Sequence, residues 1–361
     1  MLFDAYGRPL TNLRIMVTGR CNFSCIFCHM EGYKESHLRE IELSLEEIEL
    51  LKEAADRLDI KAFKITGGEP TLREDLVDIV RILKRNNAYV SLTTNASLLH
   101  KHLPGIADAG IDHINVSLHA LDEERFRKIT RSSLFRRVIE NLKLLKDYNI
   151  PIKINFVILR GLNEQDIPKV IDLAADLNAM VQFIELHPVG KAIKTFKNHY
   201  LPRWRIVEML ENRIISIEYR LGLHNRPIIT LDNGVRVELV GPVGNYLFCA
   251  GCTRIRVTYD FKLLPCLNWR GEPVEVRPRI ANASTREEKV EKIIEAIREA
   301  NSLRKPFVMY PLDAKLWKPG RKWKTMRLGL PKRDGRMMFT GKDGIKHLTK
   351  YLEEWGKYAL S

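Results

Sequence analysis

The chain has 361 residues, of which 45% are hydrophobic and 29% charged, a balance typical of globular proteins and not of disordered chains. No apolar run is long enough to cross a membrane and no signal peptide is recognisable, so we expect a cytoplasmic protein with reduced thiols. The net charge is +14, and residues 304–361, with 15 Lys/Arg and 5 Asp/Glu, carry +10 of it. A basic tail can bind polyanions, although a solvated surface is its commoner role.

Strand-like and helix-like segments alternate through the first half of the chain. The predicted strands are 13–18, 62–66, 89–94, 113–118, 152–159 and 181–186. The predicted helices are 44–58, 74–86, 98–109, 133–148 and 163–178. Ser44 and Glu47 are spaced as a capping box at the first of these helices. This rhythm predicts a parallel α/β sheet of six strand-helix units, too few for an eight-fold barrel and typical of an open, partial one.

The pattern changes after about residue 213. Short strand candidates follow, namely "RIISIEYR", "IITL", "VRVELV" and "RIRVTYD", and "DNG" at 232–234 is a hairpin signal. Residues 284–301 are predicted to form a helix with a capping box of Ser284 and Glu287. We therefore divide the chain into a partial barrel (1–212), a second cysteine-containing region (213–303) and a basic, Trp-containing extension (304–361).

All six cysteines fall into two groups of three. The first cysteine group, spaced C-x3-C-x2-C, is Cys21, Cys25 and Cys28; the second cysteine group is Cys249, Cys252 and Cys266. Disulfides would require an oxidising compartment, and structural zinc would require a fourth ligand such as His29. A [4Fe–4S] cluster on three thiolates leaves one iron free for a substrate or cofactor. Because the first group directly follows a predicted parallel strand, at the edge where barrel active sites lie, we favour iron–sulfur over zinc.

The first cysteine group resembles that of the radical S-adenosylmethionine (SAM) enzymes. "CNFSCIFC" has the family's aromatic residue before the last cysteine, and "ITGGEPTL" (65–72), "TTNAS" and "INVSLHALD" resemble its later SAM-contacting segments. The resemblance implies that this group holds one [4Fe–4S] cluster and that SAM binds its open iron. The SAM-contacting positions it implies are Phe27, Gly68, Ser117 and His187. His187 stands where the family has methionine.

The second cysteine group narrows the resemblance to the MoaA family, the GTP 3′,8-cyclases of molybdenum cofactor biosynthesis. "FCAGCTRIRVTYDFKLLPCL" has that family's C-x2-C-x13-C spacing and Arg-x-Arg pair, and "DAYGRPLTNLRIMVTGRCNFSC" and "VQFIELHPVG" also resemble it. The resemblance covers residues 4–303. It implies a second [4Fe–4S] cluster, and an incomplete (βα)6 TIM-like barrel closed by a C-terminal cluster-binding region of antiparallel strands and helices.

The activity implied by this resemblance is that of a radical SAM lyase. A 5′-deoxyadenosyl radical would abstract a ribose hydrogen from GTP and start cyclisation to the pyranopterin precursor of molybdenum cofactor. The GTP-binding residues implied are Arg14, Lys64, Thr93, Lys153, Arg254 and Arg256. Lys64 replaces a family arginine, which keeps the charge and loses the bidentate geometry. The partners implied are GTP, an electron donor, a downstream pterin-forming enzyme and a second copy of the chain; membrane and nucleic acid are not expected.

The chain departs from the family at its end. The family ends in two glycines that reach the active site, whereas this chain ends "KYALS", and its nearest likeness is "RMMFTGKDG" at 336–344. A first alternative is a related two-cluster radical SAM enzyme with another nucleotide or a peptide as substrate. A second is a non-catalytic metal-binding or RNA-binding protein that uses Trp317 and Trp323 of the tail. The SAM-like glycine segment argues against the second alternative.

Overall fold

The computed structural model describes residues 1–30, 41–220, 223–243, 245–306 and 336–340, with only the backbone for Tyr246, Leu247 and 336–340. Trp317 and Trp323 of the tail lie outside these residues. None of the helices within them combines the length and apolar composition needed to cross a membrane.

Six parallel strands from the first half of the chain form the centre of the main sheet, as predicted. The strands up to residue 185 are β1 (Leu2–Phe3), β2 (Pro9–Leu10), β3 (Asn12–Met16), β4 (Ala62–Thr66), β5 (Tyr89–Thr94), β6 (His113–Ser117), β7 (Ile152–Ile158) and β8 (Met180–Glu185). β1 and β2 form a separate antiparallel hairpin. β3 to β8 pair in sequence order, each parallel to the next. Their carboxyl ends therefore meet at one edge.

The C-terminal strands extend this sheet on both sides. They are β9 (Ile214–Arg220), β10 (Arg226–Leu231), β11 (Arg236–Val240), β12 (Arg254–Val257), β13 (Lys262–Leu264), β14 (Val274–Glu275) and β15 (Arg336–Thr340). The predicted hairpin at 232–234 joins β10 and β11, which are antiparallel, and Gly234 turns there with a φ of +80°. β11 also pairs parallel to β8, and β12 parallel to β3. The strand order is β14-β13-β12-β3-β4-β5-β6-β7-β8-β11-β10-β9-β15, so the described strands form an open sheet.

The described helices are α1 (Leu45–Arg57), α2 (Leu76–Lys84), α3 (Leu103–Asp108), α4 (Glu123–Thr130), α5 (Phe135–Leu144), α6 (Ile167–Asp176), α7 (Ala192–His199), α8 (Arg203–Leu210), α9 (Tyr246–Ala250), α10 (Arg277–Ala281) and α11 (Arg286–Ser302). α1 to α6 connect the parallel strands β3 to β8. The prediction found α1, α2, α3, α5, α6 and α11 and missed α4, α7, α8, α9 and α10. Apolar side chains of the strands and of the facing helices, such as Phe63, Ile79 and Phe156, are fully buried between them.

One of the two predicted capping boxes was wrong by a residue. At α1, Glu47 N donates to Ser44 Oγ (3.1 Å) and Ser44 N to Glu47 Oε2 (2.9 Å), as predicted. At α11 the box is formed by Thr285 and Glu288, not by Ser284 and Glu287. The Glu287 carboxylate instead accepts a hydrogen bond from Arg57 of α1 (2.5 Å), so this glutamate ties two helices together.

Candidate functional site

The first cysteine group lies in the loop after β3, at the carboxyl edge of the sheet. Phe23 N donates to Cys21 Sγ (3.5 Å) and Met30 N to Cys28 Sγ (3.3 Å). Burial raises the pKa of Cys25, and the neighbouring Cys21 and Cys28 raise it further. Three thiols this close resist ionisation together unless a cation neutralises them, and N–H groups directed at sulfur are typical of cluster thiolates. The residues present therefore fit an iron–sulfur cluster.

The glycine segment after β4 lies directly on this loop. Gly68 N donates to Thr18 O (2.9 Å) and Glu69 N to Arg20 O (2.7 Å). A Cβ at Gly68 would lie 2.0 Å from Arg20 O and 3.0 Å from Cys21 Cβ. No side chain fits there, so glycine allows the two loops to meet. The SAM-contacting role of Gly68 itself stays a prediction.

Buried Glu69 joins this segment to the end of β5. Its carboxylate accepts hydrogen bonds from Thr71 Oγ1 and Thr94 Oγ1 (2.5 Å each) and from Asn95 N (2.6 Å). Burial raises the pKa of Glu69, and these hydrogen bonds oppose the rise. The Gly-Gly-Glu-Pro run was the sequence signal for this segment, but it did not predict that Glu69 joins the segment to β5.

The other predicted SAM-contacting residues are Phe27 of the cysteine loop, Ser117 and His187. Phe27 packs edge-on against the buried His119 ring, with ring centroids 4.6 Å apart. Ser117 ends β6. His187 follows β8, and its Nε2 is 3.0 Å from Asn268 Oδ1. Of these three, only His187 lines the large cavity described below.

The loop after β8 is a further contact of the cysteine loop that the sequence analysis missed. Gly190 has a φ of +63°, and a Cβ there would lie 2.6 Å from Cys28 O. Lys191 N donates to the same oxygen (2.9 Å). The only sequence signal was the "PVG" turn directly after the last parallel strand.

The second cysteine group lies in α9, just after it, and in the loop after β13. Cys252 N donates to Cys249 O (3.0 Å), and Asn268 N donates to Cys266 Sγ (3.5 Å). Burial raises the pKa of Cys266, and the neighbouring Cys252 raises it further. These are the features found around the first group, and they fit a second cluster. Among the described residues no group of three or more His, Cys, Asp or Glu is arranged to hold a single metal ion, so the fit of both cysteine groups rests on their thiol chemistry, and the cluster-binding role of the six cysteines stays a prediction.

One cavity of about 1220 Å³ is lined by all three cysteines of the second group and by His29, which directly follows Cys28 of the first. Its volume exceeds the range of about 300–1,000 Å³ that is usual for small-molecule pockets, so it is large enough for a nucleotide.

All six predicted GTP-binding residues line this cavity. Strand pairing aligns Arg256 of β12 with Arg14 of β3, and Arg14 with Lys64 of β4. These three side chains form a cation row across neighbouring strands, on one face of the sheet. Arg254 is two residues before Arg256 and therefore shares its face.

Lys64 and Arg254 lie among other cations of the cavity. Burial lowers the pKa of Lys64 well below its usual value, and the like charges of Arg14 and Arg254 lower it further. Burial and the charge of Arg226 lower the pKa of Arg254 to about 9, although Cys252 opposes the change. Within the part of the chain that is described, no group accepts a hydrogen bond from Arg254 Nε, and buried Thr93 Oγ1 has no partner. Such a site suits a polyanion, whose oxygens satisfy these donors.

Glu238 of β11 is the acid that sequence analysis missed. This fully buried carboxylate accepts hydrogen bonds from Lys153 Nζ (3.0 Å) and Gln182 Nε2, and it lies 3.5 Å from Arg226 Nη1 and 3.7 Å from Arg220 Nη1. Burial alone would raise the pKa of Glu238, but Arg226, Lys153 and Arg220 hold it below its usual value. A glutamate between valine and leucine in "VRVELV" was the available signal.

Comparisons of the sequence agree with this arrangement. The profile of the radical SAM superfamily matches residues 15–174, and that of Molybdenum Cofactor Synthesis C matches residues 179–308. The chain is 41% identical over 317 residues to a probable GTP 3′,8-cyclase of Aeropyrum pernix, covering 86% of this chain and 89% of the relative. It is 37% identical over 311 residues to a probable GTP 3′,8-cyclase of Thermococcus kodakarensis, covering 85% and 99%.

Solved structures share the fold. Streptococcus suis SuiB bound to S-adenosylmethionine superimposes with a TM-score of 0.58 at 14% identity, covering 81% of this chain and 68% of SuiB. Native anSMEcpe with bound AdoMet gives a TM-score of 0.55 at 17% identity, covering 80% and 81%. The sequence relatives, matched over nearly their whole length, show that the chain belongs to the GTP 3′,8-cyclase family of radical SAM enzymes.

Proposed function

We propose that the chain is a GTP 3′,8-cyclase that uses S-adenosylmethionine and two [4Fe–4S] clusters. The observation that carries the proposal is the cavity lined by the second cysteine group and by His29 next to the first, with the cation row Arg14, Lys64 and Arg256 along its wall. A nucleoside triphosphate fits a cavity of this volume and is anionic enough to neutralise the row.

The first cysteine group would hold the SAM cluster. When bound, this cluster supplies the electron that cleaves SAM to methionine and a 5′-deoxyadenosyl radical, which takes a ribose hydrogen from GTP. The chain's own residues orient the bound molecules. Gly68 provides backbone close to the cysteine loop, Phe27 and Ser117 shape its surroundings, and His187 stands between this site and Asn268 of the second.

The second cysteine group would hold a cluster that would bind the guanine. Arg254, Arg256 and Arg14 line the same cavity and would bind the triphosphate together with Lys64, Lys153 and Thr93. Each charge-assisted hydrogen bond to a phosphate oxygen is stronger in this partly buried site than in water. The bound triphosphate then fixes the ribose with respect to the first site.

The likeness to the family ends before the C-terminus. The nearest likeness to the family's terminal glycine pair is "RMMFTGKDG", and its described part is β15 (Arg336–Thr340), which pairs with β9. We also propose an electron donor, a downstream pterin-forming enzyme and a homodimer as partners, a cytoplasmic location, and the division of the chain at residues 212 and 303.

Reconstitution under anaerobic conditions tests the proposal. The reduced chain, supplied with SAM and GTP, is expected to hold about eight irons and to form 5′-deoxyadenosine together with a cyclised GTP product. Release of 5′-deoxyadenosine without loss of GTP would point to another substrate. Four or fewer irons, or tightly bound zinc, would contradict two clusters.

A further inference from the structure

The N-terminal hairpin brings a buried acid, Asp4, close to the second cysteine group. Its carboxylate accepts hydrogen bonds from Tyr6 N and Arg8 N (2.9 Å each) and from Arg8 Nε (2.7 Å). Arg304 Nη1, from the segment after α11, lies 3.3 Å from the same carboxylate. Residues about 300 positions apart in the chain thus meet at one carboxylate.

The two arginines reach past Asp4 to the cysteine loop. Arg8 Nη1 donates to Cys249 O (2.9 Å), and Arg304 Nη2 donates to Cys252 O. Arg8 Nη2 also donates to Lys305 O (2.7 Å). Both arginines are buried, with 7% and 2% of their surface exposed. Two guanidinium groups therefore hydrogen-bond to the backbone at both ends of the loop from Cys249 to Cys252.

These contacts exceed what packing alone requires. Among the described residues these two buried cations share one carboxylate, so the arrangement carries excess positive charge beside Cys249 and Cys252. Excess buried charge is costly unless an anion lies nearby. A [4Fe–4S] cluster on three thiolates carries net negative charge and meets this requirement. Net charge and hydrogen bonding around a cluster also set its reduction potential.

We propose that Arg8 and Arg304, oriented by Asp4, are positioning residues of the second cluster, which they retain in the chain and make easier to reduce. The inference rests on the proposed function for the identity of the cluster. It concerns residues outside the six predicted to bind GTP. Arg8 and Arg304 act through the backbone of Cys249 and Cys252.

The experiment compares Arg8→Gln and Arg304→Gln with the unaltered chain after anaerobic reconstitution. Both variants are expected to keep the first cluster, hold about four irons in place of about eight, and still cleave SAM when reduced. Arg57→Gln is the matched control, because Arg57 joins a surface ion network of α1 and α11 with Glu53 and Glu287. This control should retain all the irons.

A conservative variant separates positioning from folding. Arg8→Lys keeps the charge but loses the paired hydrogen bonds, so it should retain more iron than Arg8→Gln, and its second cluster should titrate at a lower potential. Full iron content and an unchanged potential in all three variants would overturn the proposal, as would equal loss of both clusters. If the unaltered chain itself holds only four irons, the proposed function fails instead.

Discussion

Gly68 shows at the scale of one residue how the sequence allows the site to form. Its backbone touches the cysteine loop so closely that a Cβ would meet Arg20 O at 2.0 Å. The Gly-Gly-Glu-Pro motif predicted a close approach to SAM, and the structure adds that the approach to the loop itself already requires glycine. Lys64 also contributes to the site as a single residue, because its side chain lines a cavity in which the neighbouring charges are cations.

Gly68→Ala is expected to disrupt SAM binding. Since the clash is with backbone, the loops must shift, and we expect a loss of about 1–3 kcal/mol in the free energy of unfolding. The formation of 5′-deoxyadenosine should fall at least tenfold. Gly161→Ala is the control. Its φ of +73° disfavours alanine, but no atom lies within 4 Å of the added methyl group, so the variant lacks the clash expected at Gly68. Equal SAM cleavage in both variants would contradict this account.

His119 makes the stability of the fold depend on pH. Burial lowers its pKa from 6.5 to about 3, so the folded state keeps it neutral while the unfolded chain protonates it. Between these two values the unfolded state binds more protons, and the free energy of unfolding falls as pH falls, by at most ~1.4 kcal/mol per pH unit from this group. His119→Asn keeps an acceptor for Val157 N and should reduce this slope in urea titrations from pH 6.5 to 4.5. An unchanged slope would contradict the depressed pKa.

At the scale of elements, local signals predicted the elements well and the pairing of distant strands poorly. The six central strands and the hairpin at 232–234 follow from alternation and turn residues. Nothing local to β11 or β12 could show that each adds a parallel partner, to β8 and β3 respectively. For the same reason Glu238 was missed. Its partners lie on β7, β8, β9 and β10, and only the folded sheet brings them together.

The start of α11 offers a test of the corrected cap. Thr285→Ala should lower the free energy of unfolding by about 1 kcal/mol, because it removes the side-chain acceptor of Glu288 N. Ser284→Ala should change it by less than about 0.5 kcal/mol, since only the Ser284 backbone N–H bonds to Glu288. Chemical denaturation of the two variants measures both changes. A larger effect for Ser284→Ala than for Thr285→Ala would favour the capping box of Ser284 and Glu287 that the sequence predicted.

Glu238→Gln should destabilise the sheet where β7, β8 and β11 meet. Lys153 and Arg226 would be left buried without a carboxylate partner, which typically costs about 3–5 kcal/mol. Inorganic tripolyphosphate should then raise the melting temperature of the variant more than that of the unaltered chain, because it supplies the missing negative charge.

Glu218→Gln is the control for this experiment. Glu218 of β9 pairs with the half-exposed Arg236 of β11, so its loss should cost less than about 1 kcal/mol. An equal effect of tripolyphosphate on both variants and the unaltered chain would show that the anion does not reach the Glu238 cluster.

At the scale of the whole molecule, one cavity is lined by the second cysteine group and by His29, which directly follows the first. Residues 249–266 are more than two hundred positions from the first group, yet β12 pairs with β3 and so brings the second group to the same sheet. The spacing of the cysteines predicted the chemistry of each group. The clamp of Arg8 and Arg304 could not be predicted, because it depends on the N-terminal hairpin meeting the segment after α11.

The transfer of hydrogen from the ribose tests the central claim most directly. The reduced, reconstituted chain is supplied with SAM and GTP that carries deuterium at C3′, and the 5′-deoxyadenosine formed is examined by mass spectrometry. A cyclase with this site is expected to transfer one deuterium to 5′-deoxyadenosine while GTP is consumed in equal amount. Unlabelled 5′-deoxyadenosine with GTP left intact would contradict the account.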